Sequence, residues 1–128
     1  MKTQYTVAFA MFAGFGLGAV AVQGLHAQVK PKAYTVTEIE VLDQAALATY
    51  IASVTPTIKA AGGRNFNTAG GKIIAFTGEP PKRVAIIEWD SPQQAQTYLD
   101  STAWKNLAPQ RDKAEKITRS YVVEAVAN

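Results

Sequence analysis

The stretch from Arg83 to Gln94 constrains this chain more than any other. Val84, Ala85, Ile86 and Ile87 are contiguous and apolar, which predicts a strand over Arg83 to Trp89 that is apolar on both faces and sits inside a sheet. Ser91 follows as a helix N-cap, with Pro92 at the first helical position and Gln94 completing a capping box. A buried strand delivered directly into a helix demands partner strands, so the rest of the chain is read for them.

Upstream, residues 33 to 41 alternate: Tyr34, Val36, Glu38 and Glu40 point one way, and Thr35, Thr37, Ile39 and Val41 the other. A period of two predicts a first strand. Asp43 then caps a helix whose apolar positions, Leu47, Tyr50, Ile51, Val54, Ile58 and Ala61, recur at steps of three and four. Pro56 is expected to bend that helix and Gly62 to end it in a left-handed C′ conformation. Beyond Arg64 two arrangements compete: a hairpin turning at Gly70-Gly71, or one long strand kinked there, with the apolar run Lys72 to Thr77 inside it. Downstream, Ala95, Tyr98 and Leu99 form the buried stripe of the second helix. Asp100-Ser101 either ends that helix or leads into a further helical stretch with Trp104 and Leu107, and Ile117 to Val126 reads as a closing strand.

Strand, helix, two strands joined by a short connection, helix, strand is the α+β, ferredoxin-like βαββαβ order, an antiparallel sheet with both helices on one face. A parallel sheet is disfavoured because the middle strands lack a helical crossover. The sheet's second face is then left to solvent or to a partner, and a homodimer that buries Ile86 or Ile87 about a twofold axis is the expected solution.

At 128 residues, 48% hydrophobic and 18% charged, there is material for one domain. Part of the apolar content lies in a block from Tyr5 to Leu25 that carries no charge and follows Lys2. Residues 1 to 27 are therefore expected to be a signal peptide cleaved after Ala27, with Ala19-Val20-Ala21 as another candidate cleavage point and an uncleaved membrane anchor as the rival reading. Residues 28 to 32 read as a linker and residues 33 to 128 as the domain, periplasmic or secreted. The only histidine, His26, belongs to the leader, and there is no cysteine. Histidine and thiol catalysis, disulfides and zinc sites built on His or Cys are thus unavailable to the domain. No metal or cofactor motif is present, and neither glycine pair has phosphate-loop spacing. Removing Lys2 leaves 12 Lys and Arg against 10 Asp and Glu, scattered and without the aromatic interleaving of a nucleic-acid surface.

Several residues match, in order and spacing, the bacterial domain-of-unknown-function family 1330. They are Tyr34, Asp43, Tyr50, Pro56, Gly62-Gly63-Arg64, Gly70-Gly71, Gly78, Ile87-Glu88-Trp89, Ser91-Pro92, Tyr98, Arg111 and Val122-Val123-Glu124. The chain resembles that family over about residues 33 to 126. The resemblance implies a dimeric α/β-barrel of ferredoxin-like protomers and a long strand kinked at Gly70-Gly71, and it implies no reaction. The chain departs from the family pattern at Thr77, where glutamate is usual, and at Trp104, where tyrosine is usual.

Candidate ligand-binding residues are Arg64, whose planar fork follows paired glycines, and Tyr98, Trp104 and Arg111, two aromatic walls and a cation suited to a small aromatic or carboxylated compound. Glu88, with Glu38 and Glu124, is a strand carboxylate that would act as a general base if a neighbour or burial raised its pKa. Against these stand plain structural roles: an Arg64–Glu88 ion pair and a core position for Tyr98. The leading functional expectation is an exported domain that binds a small anionic or aromatic ligand in a cleft floored by the sheet. A cofactor-independent enzyme of the monooxygenase or isomerase kind and a protein-interaction module are the alternatives.

Overall fold

The computed structural model describes residues 31 to 126, and the expected signal peptide lies outside them. β1 (Ala33–Val41) runs between β3 (Arg83–Trp89) and β4 (Glu115–Glu124), antiparallel to both, and β2 (Arg64–Asn65) pairs with the outer side of β3. The sheet order is β2-β3-β1-β4, that of a ferredoxin-like domain, with α1 (Gln44–Ala60), α2 (Pro92–Leu99), α3 (Thr102–Lys105) and α4 (Ala108–Ala114) on one face.

The alternation in β1 sorts the residues. Ala33, Thr35 and Ile39 are buried beneath the helices with Trp89, and the indole Nε1 of Trp89 donates to Thr35 Oγ1 at 3.2 Å. From above, α1 contributes Leu47, Tyr50, Val54 and Ile58, and α2 contributes Ala95 and Tyr98. Helix starts follow the side-chain chemistry: Asp43 Oδ1 accepts from the Ala46 amide at 2.9 Å, and Ser91 Oγ from the Gln94 amide at 3.1 Å. The side chain of Gln94 closes back on the Asp90 amide, 2.7 Å, in place of the Ser91 amide of a strict capping box.

Pro56 is carried inside α1, which continues to Ala60. The helix closes in a Schellman motif, with Gly62 N donating to Lys59 O (3.0 Å), Gly63 N donating to Ile58 O (2.9 Å) and Gly62 at φ +91°. Gly63 is held for a different reason: a Cβ there would come within 2.7 Å of Ile58 Cγ2 and 2.9 Å of Trp89 Cη2. The chain thus leaves α1 across the top of the core with no space for a side chain.

The connection after β2 differs from both arrangements expected of it and from the kinked strand that the family resemblance implies. Strand pairing stops after Asn65. Phe66 N still reaches Ile86 O (3.0 Å) and Thr68 Oγ1 reaches Val84 O (2.7 Å), but Asn67 at φ 58° and a turn closed by Gly71 N on Thr68 O lead the chain off the sheet edge. Residues 66 to 82 form no strand, and Ile74 and Phe76 are 67% and 97% exposed. β-propensity expresses fit to a pleated, half-covered surface. Lys72 to Thr77 has no such surface to lie on.

Trp104 lies in the short α3, and Leu107 is the residue that precedes α4. α2 ends at Leu99, and Ser101 Oγ caps α3 by accepting from the Trp104 amide at 3.3 Å. The stretch around Pro109 is α4. β4 begins at Glu115, two residues before the expected Ile117, because Leu42 N and Asp43 N both donate to Ala114 O and fasten this point to the end of β1.

Candidate functional site

Between α1 and the helix-facing side of the sheet lies a cleft of about 290 Å³. Its walls are largely apolar: Leu47, Val54 and Ile58 from α1, and Ile39, Ile87 and Ile117 from the sheet. Polar groups enter at defined places. Arg83 begins β3 opposite Ile39, and Glu115 begins β4 opposite Val41. Period-two alternation sends both toward the helices, where they line the cleft with Tyr50 and Trp104, and Asn65 and Asn67 stand on the β2 side.

Glu115 is only 6% exposed. Burial pushes its carboxyl pKa up, opposed by the charges of Arg111 and Arg83. Among the described residues no ion pair engages it. The phenol of Tyr50 is pushed up to about 12 by burial, in spite of nearby Arg111, so at neutral pH it is a hydrogen-bond donor and not a base. Arg111, 8% exposed, lays its guanidinium 3.7 Å from the Trp104 ring centroid and donates from Nη1 to Trp104 O at 3.3 Å. This stacking holds the Trp104 ring beside the cleft while the charge acts on Glu115.

The other candidates lie elsewhere. Arg64 pairs with Glu88 across β2 and β3, on the sheet face away from the helices. Its Nε donates to Glu88 Oε1 at 2.7 Å and its Nη2 to Asp90 Oδ1 at 3.0 Å, so the structural ion pair weighed for it is formed. The same bond, seconded by the Tyr34 hydroxyl at 3.2 Å, holds the Glu88 carboxyl below the usual carboxylate range, the reverse of what a general base near neutral pH requires. Glu38 is likewise lowered by Arg119, which grips it at 2.7 and 2.9 Å. Glu124 is exposed near the end of β4. Tyr98 packs 5.3 Å from Trp89 and 5.7 Å from Trp104, ring centroid to centroid, and shares a 2.7 Å hydrogen bond with Thr57. It belongs to the core and does not line the cleft.

Of the residues singled out by sequence, the fold brings Trp104 to the cleft wall, sets Arg111 behind it on the Trp104 ring, and leaves Arg64, Glu88 and Tyr98 away from the cleft. Sequence reading missed Tyr50, Arg83 and Glu115 as site residues. Tyr50 was visible only as part of the α1 stripe and Arg83 only as the first residue of a predicted strand. Glu115 fell in the stretch before the expected last strand; two residues from Ile117, it had the right parity to share that residue's face. A shallower groove of about 570 Å³, lined by Pro56, Thr57, Ala60 and Ser101 among others, carries no charged side chain. Among the described residues no cluster of Asp, Glu, His or Cys is placed to hold a metal ion, and no helix is long and apolar enough to cross a membrane.

A four-stranded antiparallel sheet in the order β2-β3-β1-β4 with helices on one face defines an α+β, ferredoxin-like domain. The model of the domain of unknown function DUF1330 matches residues 32–126, and the chain belongs to that family. No curated protein matches the chain significantly. A protein of unknown function from Rhodopseudomonas palustris is similar in structure at a TM-score of 0.56, with 14% identity over 86% of this chain and 94% of that one. SnoaB, a cofactor-independent oxygenase from Streptomyces nogalater, is similar at a TM-score of 0.56, with 12% identity over 77% of this chain and 96% of that one. At these identities the likeness concerns the fold.

Proposed function

We propose that this is a small-molecule-binding domain, exported by its N-terminal leader, whose cleft between α1 and the sheet takes a compact, largely apolar or aromatic compound bearing an anionic or readily ionised oxygen. The observation that carries this reading is a largely apolar cavity lined also by Arg83, Glu115 and the Trp104 ring. Its volume lies near the lower end of the roughly 300–1,000 Å³ usual for ligand pockets, suiting a single-ring compound. A catalytic reading is favoured by one feature, the buried Glu115, which no ion pair engages among the described residues. SnoaB carries out its chemistry without a cofactor on a similar fold, and fold analogy alone assigns no reaction.

The dimer belongs to the same proposal. The open sheet face presents Val36 and Ile86, with Tyr121 and Val123 44% and 46% exposed. A second copy of the chain covers that face economically, and of the two isoleucines considered only Ile86 points there. Light scattering on the full chain is expected to give a dimer that Ile86→Lys dissociates.

Binding is tested by thermal shift of the full chain with benzoate, salicylate and phenylpyruvate. A bound compound raises Tm by mass action. The expected rise disappears in Val54→Trp, which fills the cleft, and shrinks in Arg83→Ala. A rise that survives both places the ligand elsewhere.

A further inference from the structure

We propose that Glu115 is the proton acceptor of the cleft and that the cleft serves a compact carbonyl compound with an acidic C–H beside the carbonyl, its oxygen held by Arg83. The inference rests on the cleft being the ligand site, and it adds the chemistry done there.

Four observations converge. Glu115 and Arg83 begin the strands on either side of β1 and face the same cavity, one as acceptor and the other as cation. The strand carboxylates Glu38 and Glu88 are consumed by arginine forks, whereas among the described residues no ion pair engages Glu115. Apolar side chains wall the cavity, so a carboxylate there works in a medium poorer in water than the sheet's open face. The domain has neither histidine nor cysteine, and Tyr50 stays protonated at neutral pH. Among the described groups lining the cleft, the carboxylate is therefore the base available.

The step balances within the cleft. The Glu115 carboxylate takes the proton from the carbon next to the carbonyl. The C–H electron pair becomes the new C=C bond, and the carbonyl π pair moves onto oxygen, giving an enolate whose charge the Arg83 N–H groups receive. Return of the proton from the Glu115 carboxylic acid to carbon regenerates the ketone, and its delivery to oxygen gives the enol. No electron acceptor is needed, and the outcome is tautomerisation with exchange of that hydrogen for solvent. Tyr50 and the Trp104 ring, steadied by Arg111, orient the compound and do not accept the proton.

The test uses the full chain in D₂O with phenylpyruvate and, in parallel, 2,4-pentanedione. Proton NMR follows loss of the acidic C–H signal, and the indole signal of Trp104 reports binding. Wild type is expected to accelerate exchange at least tenfold over buffer. Glu115→Gln is expected to abolish the acceleration while still binding, Glu115→Asp to retain a part, Arg83→Ala to reduce it, and Arg64→Ala, outside the cleft, to leave it unchanged. The wild-type rate should rise with pH through the titration of one carboxyl that Glu115→Gln removes. Binding without exchange, or exchange indifferent to Glu115→Gln, overturns the assignment of the base. Failure of both compounds to perturb Trp104 overturns the cleft reading on which it stands.

Discussion

The two faces of the sheet carry the same residue type to opposite ends. On the open face, Glu38 and Glu88 are gripped by Arg119 and Arg64, and their carboxyls are held low. Under the helices, Glu115 meets charges that attract it but no ion-pair partner among the described residues, and burial raises its pKa. Strand parity decides which face a glutamate reaches, and packing then decides whether its charge is spent on structure or kept for a ligand. A carboxylate already satisfied by a fork of N–H groups is stabilised as the anion and is a poor base. One held in an apolar wall without such a fork gives up that stabilisation and gains basicity.

If the helix-covered face is the core, Trp89→Ala should cost the most, about 3–5 kcal/mol in chemical denaturation, because a fully buried indole is removed and Thr35 loses its donor. A cost near that of a surface substitution would mean that the helices are not seated on this face. Gly63→Ala comes next, at about 1–3 kcal/mol, since its methyl group must displace Ile58 or Trp89. Ser91→Ala should cost about 1 kcal/mol through loss of the α2 cap.

The smallest effects separate the faces most clearly, because they differ in sign with pH. A raised carboxyl pKa in the folded state means that the unfolded chain releases its proton first. Glu115 therefore withdraws stability as pH rises from the unfolded pKa through the folded one. Glu115→Gln is expected to gain stability relative to wild type as pH rises above the unfolded carboxyl's pKa. For Glu88 the folded pKa is lowered, so its contribution is complete above the unfolded pKa and is lost as pH falls through the folded one. Glu88→Gln should weaken the protein at pH 7 and cease to matter in acid, and the weakening should shrink in high salt because its partner Arg64 is exposed. Urea melts of both variants at several pH values measure this; curves of the same sign would remove the distinction between the faces.

Local patterns carried most of the fold. Asp43, Ser91 and Gly62 mark helix ends by backbone chemistry that acts within a few residues, and the alternation of residues 33 to 41 and the contiguous apolar run within 83 to 89 define two strands with the bounds observed. The segment after Asn65 was misread because Lys72 to Thr77 has strand composition and no surface to pair with, and composition does not reveal a missing neighbour. The site was less legible for a related reason. Arg64 looked available because its fork follows paired glycines and Glu88 because it is a carboxylate on an apolar strand, but their mutual register is a tertiary fact. Glu115 looked unremarkable because its value comes from the boundary between α4 and β4, which is fastened by Leu42 and Asp43 more than seventy residues earlier in the chain.

The central claim, that Glu115 is an uncommitted carboxyl under the helices while its counterparts on the open face are bound, is tested most directly by a carboxyl-carbon NMR titration of the full chain labelled at glutamate, with Glu115→Gln, Glu88→Gln and Glu38→Gln assigning the signals. The account predicts that Glu115 titrates above the ordinary glutamate range while Glu38 and Glu88 titrate below it. A Glu115 that titrates alongside or below them would contradict it.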